Sequence, residues 1–235
     1  MFAGPNGSGK TSLIRSLREE HFLPLGFNLN PDDVELTLKR SGRFAFSDWG
    51  LRTTEAELQS FCRAHPMGRD TSVDRLRVEA DALLIAEPGS TGYLAAVLSD
   101  FLRQRWVAAR QSFTYETVMS SGDKVDLLEH ARSLGYRTYT YFVCTDRPDI
   151  NVGRVAYRVS QGGHHVPVDK IVARYGRSLQ HLPRAIASSD RAYLFDNSDV
   201  AHRLIAEYDA GTLIAAAKSL PAWFIASVLN ARPLP

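Results

Sequence analysis

The sequence predicts an α/β fold, a mainly parallel sheet flanked by helices, and three observations carry the prediction. Short β-rich runs alternate with helix-compatible stretches along the 235 residues. A glycine-rich segment, Gly4-Pro5-Asn6-Gly7-Ser8-Gly9-Lys10-Thr11, stands between the first apolar residues and a helical stretch. Polar residues follow directly on the strand-like runs, at the carboxyl ends where such sheets bind ligands.

The glycine-rich segment fits the pattern G-x-x-x-x-G-K-[ST] at every fixed position. Glycines without a β-carbon let successive N–H groups turn inward around a β-phosphate, Lys10 reaches the β/γ oxygens, and the Thr11 hydroxyl suits Mg²⁺. ATP and Mg²⁺ are therefore the expected cofactors, held by Gly4, Pro5, Asn6, Gly7, Ser8, Gly9, Lys10, Thr11 and Ser12. Leu13, Ile14 and Leu17 share a face of the following stretch, so the segment opens onto the positive end of a helix. The alternative is an ordinary Gly/Ser turn before a helix. Only Met1-Phe2-Ala3 precede the loop, so either the first strand is short or the sequence begins inside it.

Further strands are expected at 25–29, 112–115, 136–143 and 191–195. They make candidates of Asn30-Pro31-Asp32-Asp33, Glu116-Thr117, Thr145-Asp146 and Asp196-Asn197-Ser198. One domain, 1–235, accommodates this order with three elaborations. The first is a substrate-lobe insertion, 34–111, with helices expected at about 54–64, 72–86 and 93–110. The second is a basic flap, 151–177, gathering Arg154, Arg158, His164, His165, Lys170, Arg174 and Arg177 around Gly162-Gly163. The third is a C-terminal extension, 199–235, with a strand pair near 202–208 and 212–215 and a helix begun by Pro221; no chemistry is assigned to it.

Phosphoryl transfer needs a metal, a cation clamp and a base that orients the acceptor hydroxyl. Asp32 has the address of the base, after the second strand. The other reading of Asp32-Asp33 is helix capping, since both start the helical run Val34-Glu35-Leu36-Thr37-Leu38 after a proline. Glu116 ends a strand and is the candidate metal ligand or partner of a metal-bound water, against the plainer reading of an exposed strand end. Arg154 and Arg158, four apart, share a helix face that either grips phosphates or is simply solvated. His164 and Arg174 join them as candidate phosphate contacts; His164-His165 lacks the spacing of a metal site. Tyr93 and Asp100 lie seven apart on one helix face, where they either touch the acceptor or stabilise the lobe.

Composition narrows the classes. Twenty-eight basic against 26 acidic side chains leave a net charge of +2, which speaks against a protein devoted to neutralising a nucleic-acid backbone. Cys62 and Cys144 lie far apart without metal-ligand spacing and read as buried thiols. No signal segment or membrane-length apolar run is present in the sequence, so the expected compartment is the cytoplasm and no membrane partner is expected.

Four separated motifs together resemble the zeta-toxin family of P-loop kinases, closest to its chromosomal bacterial branch. They are the phosphate loop, Asn30-Pro31-Asp32-Asp33, Phe113-Thr114-Tyr115-Glu116-Thr117-Val118-Met119-Ser120-Ser121, and Arg154-x-x-x-Arg158 followed by Gly162-Gly163-His164-His165-Val166-Pro167 and Arg174-Tyr175. The resemblance implies the P-loop NTPase/kinase fold and phosphorylation of a nucleotide-sugar hydroxyl, the 3′ hydroxyl of the amino sugar of UDP-N-acetylglucosamine in well-known members. It implies that Lys10 and Thr11 hold triphosphate and magnesium, that Asp32 is the base, that Glu116 supports the metal region and that Arg158 clamps the phosphates. It further implies an acidic sugar contact at Asp100, sixteen residues before Glu116, and a possible antitoxin partner. The toxins follow their strand-end Glu with Gly-Thr and a downstream Arg, where this chain has Thr117-Val118 and Ser120; Thr117 is kept as a candidate acceptor contact. The second flap arginine of the toxins is replaced by the Gly-Gly-His segment or supplied by Arg174. These departures leave open a kinase of another hydroxylated metabolite, nucleoside or antibiotic, and a nucleotide-dependent switch without an acceptor. A polynucleotide kinase is the weakest alternative, given the near-neutral charge.

Overall fold

The computed structural model describes residues 1–20, 23, 25–85 and 91–231, with 69 and 70 described through their backbone alone. It is a mixed α/β structure with a mainly parallel sheet flanked by helices, in two compact units. One unit joins Met1–Pro24 to Glu116–Pro235, and the other is Leu25–Tyr115. The second is wider than the 34–111 insertion expected from the sequence, because the strand and helix around Asp32 belong to it.

In the first unit β1 (Phe2–Ala3) is only two residues long. It is held from both sides, Phe2 and Ala3 pairing in parallel with Glu116 and Thr117 and with Tyr141 and Phe142. Phe2 and Ala3 are fully buried, so a very short strand suffices at the centre of the sheet. The chain then passes through the loop Gly4–Gly9 into α1 (Lys10–Glu20), which buries Leu13 and Ile14 as its apolar face requires.

The second unit begins with β2 (Phe27–Leu29) and α2 (Pro31–Ser41). Asn30 caps α2 by accepting from the Asp32 N–H at 3.0 Å, Pro31 opens the first turn, and Gly42 ends the helix in the left-handed region. Next come β3 (Arg43–Ala45) and α3 (Glu55–Ala64), the latter opened by a capping box between Thr54 and Glu57. β4 (Arg77–Glu79) and β5 (Ala82–Leu84) form a hairpin, and β3 pairs with β5 to make a three-stranded antiparallel sheet in the order β3-β5-β4. A helix over 72–86 was expected here; the described part instead has a 3₁₀ turn at Val73–Arg75 followed by the hairpin, and residue 86 lies outside the described residues. α4 (Thr91–Ala108) is buried on most sides, with Leu98, Leu102 and Trp106 inaccessible, and an aromatic cluster of Phe44, Phe46, Phe61 and Phe101 packs edge to face around it. β6 (Phe113–Thr117) starts in this unit, where Phe113–Tyr115 pair in parallel with β2.

Back in the first unit follow α5 (Asp123–Ser133), β7 (Tyr139–Cys144), α6 (Pro148–Ser160), α7 (Val168–Ala187) and β8 (Arg191–Asp196). β8 runs parallel to β7 over six residue pairs. α7 carries a long apolar face through Ile171, Tyr175, Leu179, Leu182 and Ile186, and Val166 and Ile171 pack with Val155 of α6 to fix the connection between the two helices. β9 (Arg203–Asp209) and β10 (Thr212–Ala216) extend the sheet antiparallel, with a register shift between Leu213 and Ala215. All five residues of β10 are exposed. The one-turn α8 (Ala222–Phe224) tucks Trp223 against β8, its indole N–H donating to Asp196 Oδ1 at 2.9 Å. Among the described residues no helix is long and apolar enough to cross a membrane.

Candidate functional site

The phosphate loop is shaped by close backbone packing. Gly4 lies at φ +143°, and a β-carbon there would sit 2.0 Å from the Val143 carbonyl oxygen; at Gly9, φ +98°, it would meet Asn197 Nδ2 at 2.3 Å. Only glycine fits either place. Lys10 curls back so that Nζ donates to the Gly4 and Pro5 carbonyls at 2.8 and 3.0 Å. A phosphate oxygen, itself charged, offers this ammonium a stronger bond than either neutral carbonyl. Ser8 Oγ and Asn6 Oδ1 are buried without hydrogen-bond partners among the described residues. The Ser8 hydroxyl is thus a buried donor left unsatisfied at the loop among the described residues.

Glu116 leaves β6 beside β1 and is 6% exposed, and its Oε2 accepts from Thr11 Oγ1 at 2.7 Å. The exposed-strand-end reading of Glu116 is therefore replaced by a buried carboxylate joined to the last residue of the phosphate loop. A hydroxyl and one carboxylate are hard oxygen donors of the kind that hold Mg²⁺ together with waters and phosphate oxygens. The described residues contain no cluster of three or more His, Cys, Asp or Glu that could hold a metal ion. Thr117, by contrast, is tied into the backbone: its carbonyl accepts from the Gly4 N–H at 3.2 Å and its hydroxyl from the Met119 N–H at 2.9 Å.

The flap arginines differ in their surroundings. Both lie on α6, but Arg154 donates to the carbonyls of Asn197 and Asp199 at 2.7 and 3.1 Å, whereas the exposed Arg158 donates to the His164 carbonyl at 3.2 Å. Arg174 is half-buried on α7, and His164 is exposed in the segment between the helices. Three further residues touch the loop, of which Asn197 alone was among the strand-end candidates. Asn151 Nδ2 donates to the Asn6 carbonyl at 2.6 Å, Asn197 Nδ2 donates to the Ser8 carbonyl at 2.7 Å, and His202 Nε2 lies 3.0 Å from the Gly9 carbonyl. Asn197 had a strand-end signal; the sequence held no signal for His202. Burial holds the His202 imidazole below its ordinary pKa, with nearby Arg154 acting in the same direction and the bond to Gly9 opposing it.

In the second unit Asp32 is exposed in the first turn of α2. The cap belongs to Asn30, so capping does not occupy the Asp32 carboxylate. Burial, and secondarily the charge of Asp32, raise the Asp33 carboxyl above its ordinary value. Asp100 pairs with the buried Arg103 and with His65 Nε2 at 3.0 Å, and the Arg103 guanidinium lies 5.3 Å from the centre of the Tyr115 ring. Asp100 is therefore engaged within the lobe; Tyr93 is half exposed, at 50%. Burial pushes the Cys62 thiol up to about 11 and Cys144 to about 12, so both are buried and protonated, as buried thiols should be.

A comparison with protein-family models gives no match, and one with curated protein sequences gives none either. Solved structures do match. The AvrRxo1-ORF1:AvrRxo1-ORF2 complex with ATP shares 13% identity at a TM-score of 0.59, covering 100% of this chain and 65% of the matched chain. The same complex with sulphate ions gives 13%, a TM-score of 0.57, and the same 100% and 65% coverage. A structure of the PezAT chromosomal toxin-antitoxin system of Streptococcus pneumoniae gives 13% identity and a TM-score of 0.50 over 98% of this chain and 78% of that one. The chain spans 65% of the AvrRxo1 chain that it matches. It has the mixed α/β fold of these proteins, a mainly parallel sheet flanked by helices, in agreement with the zeta-toxin-like resemblance of its motifs.

Proposed function

We propose that the chain is an ATP- and Mg²⁺-dependent kinase that phosphorylates a hydroxyl of a small molecule. The observation that carries this reading is the Thr11 to Glu116 hydrogen bond of 2.7 Å at the end of a phosphate loop matched at every fixed position. Thr11 and Glu116 would hold Mg²⁺, which when bound neutralises charge on the β- and γ-phosphate oxygens. Lys10 follows the γ-phosphoryl group, exchanging its two carbonyl partners for phosphate oxygens. Arg158, with His164 and Arg174 from the same basic segment, stabilises charge on the group in transfer. Asp32 accepts the proton of the acceptor hydroxyl as the new O–P bond forms and the bond to ADP breaks. A nucleotide sugar is the acceptor class favoured by the motif resemblance, with UDP-N-acetylglucosamine first among them. The matched structure of a chromosomal toxin-antitoxin system supports an antitoxin-like protein partner as part of the same proposal.

The test is direct. Incubation with ATP, Mg²⁺ and a metabolite extract, followed by mass spectrometry, should reveal a species that gains one phosphoryl group and is absent with Lys10→Ala. UDP-sugars, nucleosides and hydroxylated antibiotics supplied singly then identify the acceptor. Slow ATP hydrolysis that no acceptor alters would overturn the kinase reading.

A further inference from the structure

We infer that Arg154 is a positioning residue of the phosphate loop, and that its guanidinium acts through the loop's backbone. The inference rests on the nucleotide-binding part of the proposed function. Asn151 and Arg154 stand one turn apart on α6. Asn151 Nδ2 donates to the Asn6 carbonyl at 2.6 Å, and its Oδ1 accepts from the Thr145 hydroxyl, which fixes the direction of the amide. Arg154 bridges the carbonyls of Asn197 and Asp199, and Asn197 Nδ2 returns to the Ser8 carbonyl at 2.7 Å. The contacts close a ring: loop, Asn151, α6, Arg154, Asn197, loop. His202 at the Gly9 carbonyl adds a third outer contact.

The ring has a stereochemical effect on the opposite side of the loop. In a trans peptide the carbonyl of one residue and the N–H of the next point in opposite directions. Holding the Asn6, Ser8 and Gly9 carbonyls outward therefore turns the N–H groups of Gly7, Gly9 and Lys10 inward, where a β-phosphate is cradled. Asn151 and Asn197 are both buried, at 0% and 7% exposure, so neither amide exchanges its partner for water cheaply. Arg158 has no place in the ring, since it donates to the His164 carbonyl. The two arginines of α6 thus divide the work: Arg154 shapes the loop, and Arg158 remains for the transferring group.

The discriminating measurement is ATP and ADP affinity side by side, in wild type, Arg154→Lys, Asn151→Asp, Arg158→Ala and Lys10→Ala. A loop frame acts on the β-phosphate cradle, so Arg154→Lys should weaken ATP and ADP by the same factor, about 10-fold. Lysine keeps the charge and loses the two-carbonyl bridge, so a cation that simply touched the γ-phosphate would survive the change largely intact. Asn151→Asp should weaken both nucleotides alike, and the double variant should lose less than the product of the two factors, because one ring is opened either way. Thr145→Ser should bind as wild type and Thr145→Val should not, which keeps the question answerable if Asn151→Asp fails to fold. Loss of ATP affinity with ADP affinity intact in Arg154→Lys would make Arg154 a γ-phosphate clamp and overturn the inference. Unchanged affinities for both nucleotides in folded Arg154→Lys would overturn it equally. If wild type binds neither nucleotide, or Lys10→Ala binds both as wild type does, the nucleotide reading falls and the frame with it. Nucleotide binding without any phosphorylated acceptor removes the kinase reading alone.

Discussion

Replacing Glu116 by glutamine separates the fold from the chemistry at one atom. The carboxylate is 6% exposed and accepts the Thr11 hydroxyl at 2.7 Å, the length of an O–H···O bond to a charged oxygen. Glutamine keeps an acceptor oxygen in place, so Thr11 retains a partner. A hydrogen bond to a charged acceptor contributes about 1.5–3 kcal/mol against about 0.5–1.5 kcal/mol for a neutral one, a loss of about 1 kcal/mol. Relief from burying a charge offsets part of that loss, and the net change in stability should stay within about 1 kcal/mol. Metal support should suffer more. Removing a residue that holds a metal or its bound water costs about 10–100-fold in affinity, equivalent to about 1.4–2.8 kcal/mol. The assay is phosphoryl transfer at fixed ATP as a function of Mg²⁺ concentration, whose midpoint should rise by that factor. Thr11→Ser should leave the midpoint near wild type and Thr11→Val should raise it. An unchanged midpoint with turnover intact in folded Glu116→Gln would refute the metal role and leave Glu116 a structural partner of the loop.

Asp32→Asn should lower turnover by about 10² to 10⁴ with ATP affinity preserved, since the helix cap belongs to Asn30 and survives the change; Asp33→Asn should do far less, and steady-state kinetics with ATP titration checks both. Asp100→Ala removes an ion-pair partner of the buried Arg103, so chemical denaturation should show a loss of about 3 kcal/mol, while ATP affinity should be unaffected. A variant as stable as wild type but with a raised acceptor Michaelis constant would return Asp100 to the acceptor. His202 has a folded-state pKa below its ordinary value, so its contribution to stability is complete above that ordinary value and declines as the pH falls towards the folded one. His202→Gln keeps a donor for the Gly9 carbonyl and should flatten that part of the pH profile of unfolding.

Much of the framework was legible because it is local. The phosphate loop is written in consecutive residues, and the strand ends at Leu29, Thr117, Cys144 and Asp196 follow runs whose β character needs no distant partner to be seen. The hairpin at 77–84 was not legible, since Val78-Glu79-Ala80-Asp81-Ala82-Leu83-Leu84 reads as good helix. Its strand state depends on β3, a segment far earlier in the chain, and its turn places Ala80 at φ +47° and Asp81 at φ +58° without the Asn-Gly usual for that geometry. Tertiary pairing overrode local preference there. The outer supports of the loop were hidden for another reason: Asn151, Asn197 and His202 reach loop carbonyls across 145, 189 and 193 positions of sequence. The strand-end position singled out Asn197, but nothing in its neighbourhood or that of Asn151 reveals the partner. The His65 contact of Asp100 depends on how this lobe packs, and no local pattern announced it.

The open border of the sheet bears on how copies of this protein behave in a concentrated solution. β10 is uncharged from Thr212 to Ala216 and presents Leu213 and Ile214 to solvent at 42% and 50%, a composition that invites further strands to add on. The register shift between Leu213 and Ala215 interrupts the ladder at its middle. An incoming strand would find two matched residues, a dislocation, and two more, which is too little uninterrupted backbone to hold it. Irregularity in the main chain thus does for this border what lysine or proline does elsewhere, and it leaves the side chains there free to remain apolar.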